Sequence, residues 1–240
     1  MEASKKFTKN FNNEFIAVRR PKYYTFSYIG HTAGNHVASL RPKTVKNTHV
    51  SNKWAYTQGL ALLWFQDYGS VITAMNWDGC TGHFLMAELA NGQCAYPDYW
   101  KMKESFNGDE IRMQTSLFNQ ECIKLDRRIS FLENGVRESL DISVDGECTA
   151  QDLFEQLPLL DYKGLKLEFL VNGNWQAEPG TTDKIRLNGK ILVSLDRPLK
   201  VSLEPAVKKF EQKIQPLRLH LGNGFKAGDK LSLSYTITKE

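Results

Sequence analysis

His31 and His36 stand close together in the run Gly30-His31-Thr32-Ala33-Gly34-Asn35-His36, with Arg41 just beyond. An imidazole can take a proton from carbon next to a carboxylate, and a nearby amide or guanidinium, here Asn35 or Arg41, can hold the enolate that forms. The same spacing suits a metal pair. No carboxylate accompanies the two rings, however, and a loop does not align them as a helix would, so no metal and no cofactor is expected. The plainer reading is a pair of solvated loop histidines. No catalytic residue is therefore assigned, and His31, His36 and Arg41 are kept as the alternative if the protein is an enzyme. His83 falls within an apolar strand, as a half-buried, hydrogen-bonded residue would, and His49 and His220 point outward by pattern.

Flat aromatic rings are the second group with chemistry to offer, because they stack on the C–H faces of sugars while planar polar groups bond the hydroxyls. Trp54 and Tyr56 follow a polar basic stretch, and Tyr96, Tyr99 and Trp100 cluster around Pro97. These five are the expected ligand-binding residues. Trp64 and Trp77 lie in or at the end of apolar runs and read as core. Arg127, Arg128, Arg137, Lys208, Lys209 and Lys213 would favour an anionic polysaccharide, although strand and helix faces in water account for them as well. No nucleophile elbow, P-loop or dinucleotide fingerprint is present. Nothing singles out two carboxylates as a glycosidase pair. The cysteines Cys80, Cys94, Cys122 and Cys148 lack metal or redox spacing and are expected as free thiols.

The elements that must position these residues are short strands. Gly59–Phe65, Ser70–Trp77 and His83–Ala90 are β-prone runs broken by Tyr68-Gly69, Asp78-Gly79 and Asn91-Gly92. Such dipeptides suit two-residue hairpin loops, whose central residues need positive φ. A loop at Asp78-Gly79 puts Val71 opposite Met86 and Thr73 opposite Phe84. A loop at Asn134-Gly135 puts Ile129 opposite Leu140, and one at Asn91-Gly92 puts Cys94 opposite Leu89. Further hairpins are expected at Asn119-Gln120, Asn172-Gly173 and Asn188-Gly189, and Leu217, Leu219 and Leu221 alternate with Arg218 and His220. Two short helical turns are expected, one opened by Thr149-Ala150-Gln151-Asp152 and one at Ala206–Lys213. The fold class that follows is all-β: a large antiparallel two-sheet β-sandwich, supersandwich-like, with one or two short helices.

The chain has 240 residues, 41% of them apolar and 24% charged, which suits one globular domain over 14–240 preceded by a flexible tail at 1–13. A net charge of +4 without a run of like charges gives nucleic-acid binding little support. No window approaches the roughly 18 apolar residues of a membrane span. Residues 1–13 lack the form of a secretory leader, so the compartment stays undecided: cytoplasmic, or extracytoplasmic if the chain is a mature or excised piece of a secreted protein.

The aromatic strand Tyr23-Tyr24 running to Gly30, the apolar meander, the hairpin Arg127-Arg128-Ile129-Ser130-Phe131-Leu132-Glu133-Asn134-Gly135-Val136 and the segment Phe154-Glu155-Gln156-Leu157-Pro158-Leu159-Leu160 resemble the β-sandwich of heparinase II/III-like polysaccharide lyases and related carbohydrate-active proteins. In that family the sandwich follows a helical toroid where the lyase chemistry is concentrated. The resemblance thus implies the non-catalytic portion: an accessory or carbohydrate-binding module, partnered by a polysaccharide or oligosaccharide and by a catalytic domain or second chain. A stand-alone lyase or glycoside hydrolase working from the His31–His36 loop, and a structural interaction domain, are the alternatives.

Overall fold

The computed structural model describes residues 6–11, 15–29, 59–74, 82–90, 94–98, 101–161, 164–209 and 212–240. Among them every strand pairing is antiparallel and there is no α-helix. The first strands, β1 (Phe7–Phe11), β2 (Phe15–Arg20), β3 (Tyr23–Tyr28), β4 (Leu60–Phe65) and β5 (Gly69–Thr73), pair each with the next. Then come β6 (Phe84–Leu89), β7 (Cys94–Pro97), β8 (Lys103–Phe106), β9 (Glu110–Phe118), β10 (Gln120–Phe131), β11 (Gly135–Val144) and β12 (Ala150–Asp161). The last are β13 (Leu167–Val171), β14 (Asn174–Gln176), β15 (Thr181–Leu187), β16 (Ile191–Leu203), β17 (Val207–Lys209), β18 (Gln212–Gly222) and β19 (Lys230–Lys239).

Hydrogen-bonded pairs lead from β10 through β11, β19, β16, β18, β12, β6, β7 and β9 back to β10, a closed circuit. Closure removes the open edges that a flat sheet would present. It also means that the network is continuous, with no break marking two separate sheets. Inside lies one core, to which alternate residues contribute: Ile123, Leu125, Ile129 and Phe131 of β10, Leu140 and Ile142 of β11, Leu153, Leu157 and Leu159 of β12, Leu233 and Ile237 of β19. Each such side chain stabilises the fold by about 1.5–3 kcal/mol relative to exposure. A second apolar cluster, Phe84, Met86, Cys94, Tyr96 and Phe154, lies on the other face of β6 and β12, with Phe118 against it.

Several sequence expectations change here. Asp78-Gly79 does not set Val71 against Met86. β5 and β6 both pair with β12, Ile72 at Leu159 and Phe84 at Gln156, so the two strands share one long partner. The segment expected as the first helical turn is strand from Ala150 on: Leu153, Phe154, Leu157 and Leu159 are all buried, on both faces, and β12 is paired along both edges. Such pairing overrides a local capping signal. The Ala206–Lys213 turn is likewise replaced by β17 and the start of β18, with Val207 opposite Ile214. Phe7–Phe11, within the expected tail, forms β1 because it pairs along β2 and Lys6 reaches Glu133.

Turn chemistry holds at Asn172-Gly173 and Asn188-Gly189, but neither Asn134 nor Gly135 takes positive φ. Asn172 and Gly173, and Asn188 and Gly189, take positive φ as both central residues of such a loop must. Around Asn134-Gly135 the partners are Ile129 with Glu138 and Arg127 with Leu140, a shift of two residues that keeps the faces and changes the neighbours. Between β6 and β7 Cys94 faces Glu88, a one-residue slip that carries its side chain into the second apolar cluster. Cys94, Cys122 and Cys148 are free thiols, and Cys80 lies outside the described residues. Gly135 is packed so tightly that a Cβ would press on the Ile237 carbonyl oxygen. Gly135→Ala is therefore expected to cost about 1–3 kcal/mol in urea unfolding, and a neutral result would mean that β11 and β19 part at this end.

Candidate functional site

His31, His36, Arg41, Trp54, Tyr56, Tyr99 and Trp100 lie outside the described residues, as does Trp77. Gly59, just before β4, abuts His83, and the Leu60 N–H donates to His83 Nδ1 at 2.9 Å. Tyr96 is 5% exposed and packs on Phe118 with ring centroids 5.4 Å apart, so its face is enclosed in the second cluster and not offered to a ligand. Trp64, read as core, is 40% exposed.

His83 belongs to a fully buried polar cluster that alternation hid in the sequence. Arg127 of β10, Glu138 of β11, Glu155 of β12 and Tyr235 of β19 all occupy inward positions and are at most 1% exposed. Arg127 Nη1 donates to Glu138 Oε2 at 2.5 Å and to Glu155 Oε1 at 2.8 Å, and Nη2 donates to Glu155 Oε2 at 2.7 Å. Because His83 Nδ1 accepts the Leu60 N–H, the proton sits on Nε2, which faces the Tyr235 hydroxyl at 2.8 Å, and that hydroxyl donates to Glu155 Oε1 at 3.1 Å. Burial pushes the Glu155 carboxyl up, but Arg127 and His83 outweigh it and hold it below its ordinary value. Burial and the two carboxylates push the Tyr235 phenol well up, so it stays a donor. His83, Glu138 and Glu155 bring ligand atoms within 4.8 Å of one another. A metal does not fit them, because the Arg127 guanidinium already sits on both carboxylates and both imidazole nitrogens are engaged. The cluster is a sealed set of charges that holds four strands in register.

Among the open surfaces of the described residues, two stand out. The first is a groove of about 710 Å³ across the outer face of β8–β11 and β19, lined by Lys101, Lys103, Lys124 and Lys230 together with Asp126 and Asp141. The two carboxylates are already matched. Asp126 accepts from Arg112 Nε at 2.9 Å and from Gln114 at 2.8 Å, and Asp141 pairs with Arg128. The Arg112 contact holds the Asp126 carboxyl below its ordinary value. Lys101 reaches Glu121 at 2.7 Å, but no ion pair engages Lys103, Lys124 or Lys230 among the described residues. The groove therefore presents net positive charge to an incoming anion. These lysines were missed in the sequence because Lys103, Lys124 and Lys230 lie singly on separate strands and Lys101 just before one. Of the basic residues picked out there, Arg127 is buried in the core cluster and Lys213 is paired with Asp161.

The second surface is aromatic. Phe7 and Phe11 of β1 are each 41% exposed, and their rings lie 6.2 Å from Tyr24 and 6.5 Å from Phe26, with Phe15 stacked on Phe26 at 4.8 Å. Trp64 pairs opposite Tyr24 on the same face.

No protein-family model matches the chain, and no curated protein does. Among solved structures, a 4-α-glucanotransferase from Thermococcus litoralis aligns with a TM-score of 0.56 and 8% identity, covering 99% of this chain and 40% of that one. A putative aldose 1-epimerase from Escherichia coli K12 aligns at 0.45 with 7% identity, covering 98% and 99%. A galactose mutarotase-like protein from Lactobacillus casei aligns at 0.36 with 10% identity, covering 98% and 100%. The chain is thus an all-β protein whose fold recurs within a carbohydrate-active enzyme and spans 40% of it. The glucanotransferase is not a heparinase II/III-like lyase, so the resemblance drawn from the sequence is supported only in its β fold.

Proposed function

We propose that this chain is an accessory, carbohydrate-binding module of a polysaccharide-processing protein. Its closed circuit would be flattened into the two faces of a supersandwich-like domain spanning 14–240, and its ligand would be an acidic polysaccharide laid along the lysine groove. The observation that carries the reading is the groove itself: four lysines facing an open channel whose own carboxylates are already taken by arginines. Uronate or sulfate groups repeated along a polymer would meet that charge at several points, and binding would weaken as salt rises. The likeness to part of a glucanotransferase supports the fold of such a module.

Exposed rings favour a second reading. The β1–β4 face with Phe7, Phe11 and Trp64 would then pack against a catalytic domain or partner chain, as a structural interaction domain does. The enzyme alternative, a lyase or glycoside hydrolase using His31, His36 and Arg41, would leave new chain ends in a uronate polymer. Trp54, Tyr56, Tyr99 and Trp100 keep their proposed place as sugar platforms.

Titration with polygalacturonate and chondroitin sulfate, with dextran as the neutral control, tests the groove. Lys124→Glu combined with Lys230→Glu is expected to weaken binding of the anionic polymers at least about tenfold, roughly 1.4 kcal/mol, with the melting temperature little changed. Equal binding by the double variant, or equal binding of dextran, would remove the groove from the account. Unsaturated ends appearing in the polygalacturonate would favour the lyase alternative.

A further inference from the structure

His220 of β18 lies between a hydroxyl and a carboxylate. Its Nε2 is 2.8 Å from Ser202 Oγ on β16, and its Nδ1 is 2.7 Å from Asp152 Oδ2 on β12. The atoms are those an activated serine requires: the base nitrogen on the hydroxyl and the other nitrogen held by a carboxylate that fixes the tautomer. The three strands are neighbours, and their register explains the meeting. Lys200 faces His220 and Ser202 faces Arg218 across β16 and β18, while Phe154 faces His220 across β12 and β18. Asp152, two residues before Phe154, shares the face that meets His220. Register irregularities flank it, between Leu153 and Phe154 toward β18 and between Ala150 and Asp152 toward β6. Bulges commonly re-aim side chains beside active sites.

Arg218 supplies the remaining element. It is the direct cross-strand partner of Ser202, and its guanidinium lies 4.2 Å over the Phe154 ring, with Nη1 3.0 Å from Glu88 and 3.4 Å from Glu204. Its Nε–H is buried and makes no hydrogen bond among the described residues. A buried donor without a partner is uncommon in a folded chain and asks for a reason. Arg218 lies directly across from Ser202, and a small shift of its side chain would bring this N–H to the charge that develops on an attacked carbonyl oxygen. Ser202 Oγ also lies 3.4 Å from Glu204 Oε1, a contact at the limit of a hydrogen bond, so the 2.8 Å contact with His220 dominates. The imidazole is 15% exposed and the Asp152 carboxylate 27%, so the site is sheltered and still open to a small substrate.

We propose that Ser202 and His220, positioned by Asp152, form an acyl-transfer site that hydrolyses short-chain carboxylic esters, with Arg218 Nε–H as the oxyanion donor. Ser202 Oγ bonds to the ester carbonyl carbon as its proton passes to His220 Nε2. The carbon–oxygen bond to the alcohol then breaks, and the same proton leaves with the alcohol. Water attacks the acyl-serine, giving a proton to His220; the bond from the acyl carbon to Oγ then breaks, that proton returns from His220 to Ser202 Oγ, and the carboxylic acid leaves. Water is the sole co-reactant, and no electron is transferred. The proposal does not depend on polymer binding in the lysine groove, which lies on other strands.

Labelling of the full chain with a fluorophosphonate, followed by peptide mass mapping, tests it without any substitution. The expected result is one adduct, on Ser202. Turnover of p-nitrophenyl acetate should fall about a thousandfold or more in Ser202→Ala and in His220→Gln. Asp152→Asn should lower kcat by about a thousandfold while KM stays within about twofold, a split that simple loosening of the sheet would not produce. Lys124→Glu with Lys230→Glu should leave turnover unchanged, which separates this activity from the groove. No adduct, an adduct elsewhere, or turnover retained in Ser202→Ala would overturn the proposal.

Discussion

Replacing Arg127 by Met is expected to lower the unfolding free energy at pH 7 by about 3–5 kcal/mol, because two buried carboxylates would be left facing each other without their cation. In the native protein Arg127 bonds both Glu138 and Glu155 inside a shell that water does not reach. The effect on pH dependence is more diagnostic than the loss itself. The native Glu155 carboxyl is held below its ordinary value, so its contribution is fully present above the unfolded-state pKa and fades as pH falls through the range beneath it. Without Arg127 the folded pKa of the pair rises instead. Stability should then improve as pH falls from 7 to 5, a range over which the native Glu155 contribution holds level. Urea midpoints at pH 7 and pH 5 check this, and adding Glu138→Gln and Glu155→Gln should abolish the gain. An Arg127→Met protein that keeps the native pH trend would mean that the carboxylates have other cations or reach water.

Phe154→Ala should cost about as much, 3–5 kcal/mol, for a different reason. Its ring is completely buried against Phe84, Met86, Cys94 and Tyr96, so truncation leaves a cavity among large neighbours that strand pairing holds in place. The Arg218 guanidinium also loses the ring it covers at 4.2 Å, worth about a further 0.5–1 kcal/mol. Guanidinium unfolding gives the number. A loss below about 2 kcal/mol would show that the second cluster collapses to fill the gap and is not a rigid layer.

Those two residues also show what the sequence could and could not tell. Strand content was readable because turn dipeptides fix φ locally, as at Asn172-Gly173 and Asn188-Gly189. Partnership was not, because it depends on which distant strand offers the longer ladder. β5 and β6 have a suitable turn between them and both pair with β12. Phe154 sits in a segment with a capping signal, and only pairing on both edges makes it strand. Arg127 was legible in one respect. It shares the parity of Ile123, Leu125, Ile129 and Phe131, which places a guanidinium on the buried face, although charge alone suggested solvent. Its partners Glu138 and Glu155 come from other strands and could not be foreseen. Of the candidate site, the pattern of β18 gave the outward direction of Arg218 and His220. Ser202 and Asp152 meet His220 only through the register of three strands.

The circuit of strands constrains how the chain reaches its native state. Gly135–Ser143 finds the partner for its second edge at Lys230–Thr238, and Ala150–Gln156 reaches back to Phe84–Leu89, so closure joins segments far apart along the polypeptide. Such distant contacts make for slow folding, on the millisecond-to-second scale or longer for β proteins. During synthesis β11 must wait with one edge unpaired until β19 emerges, and its buried-face Glu138 must wait for Tyr235. That interval is when the nascent protein most needs protection from its own aggregation.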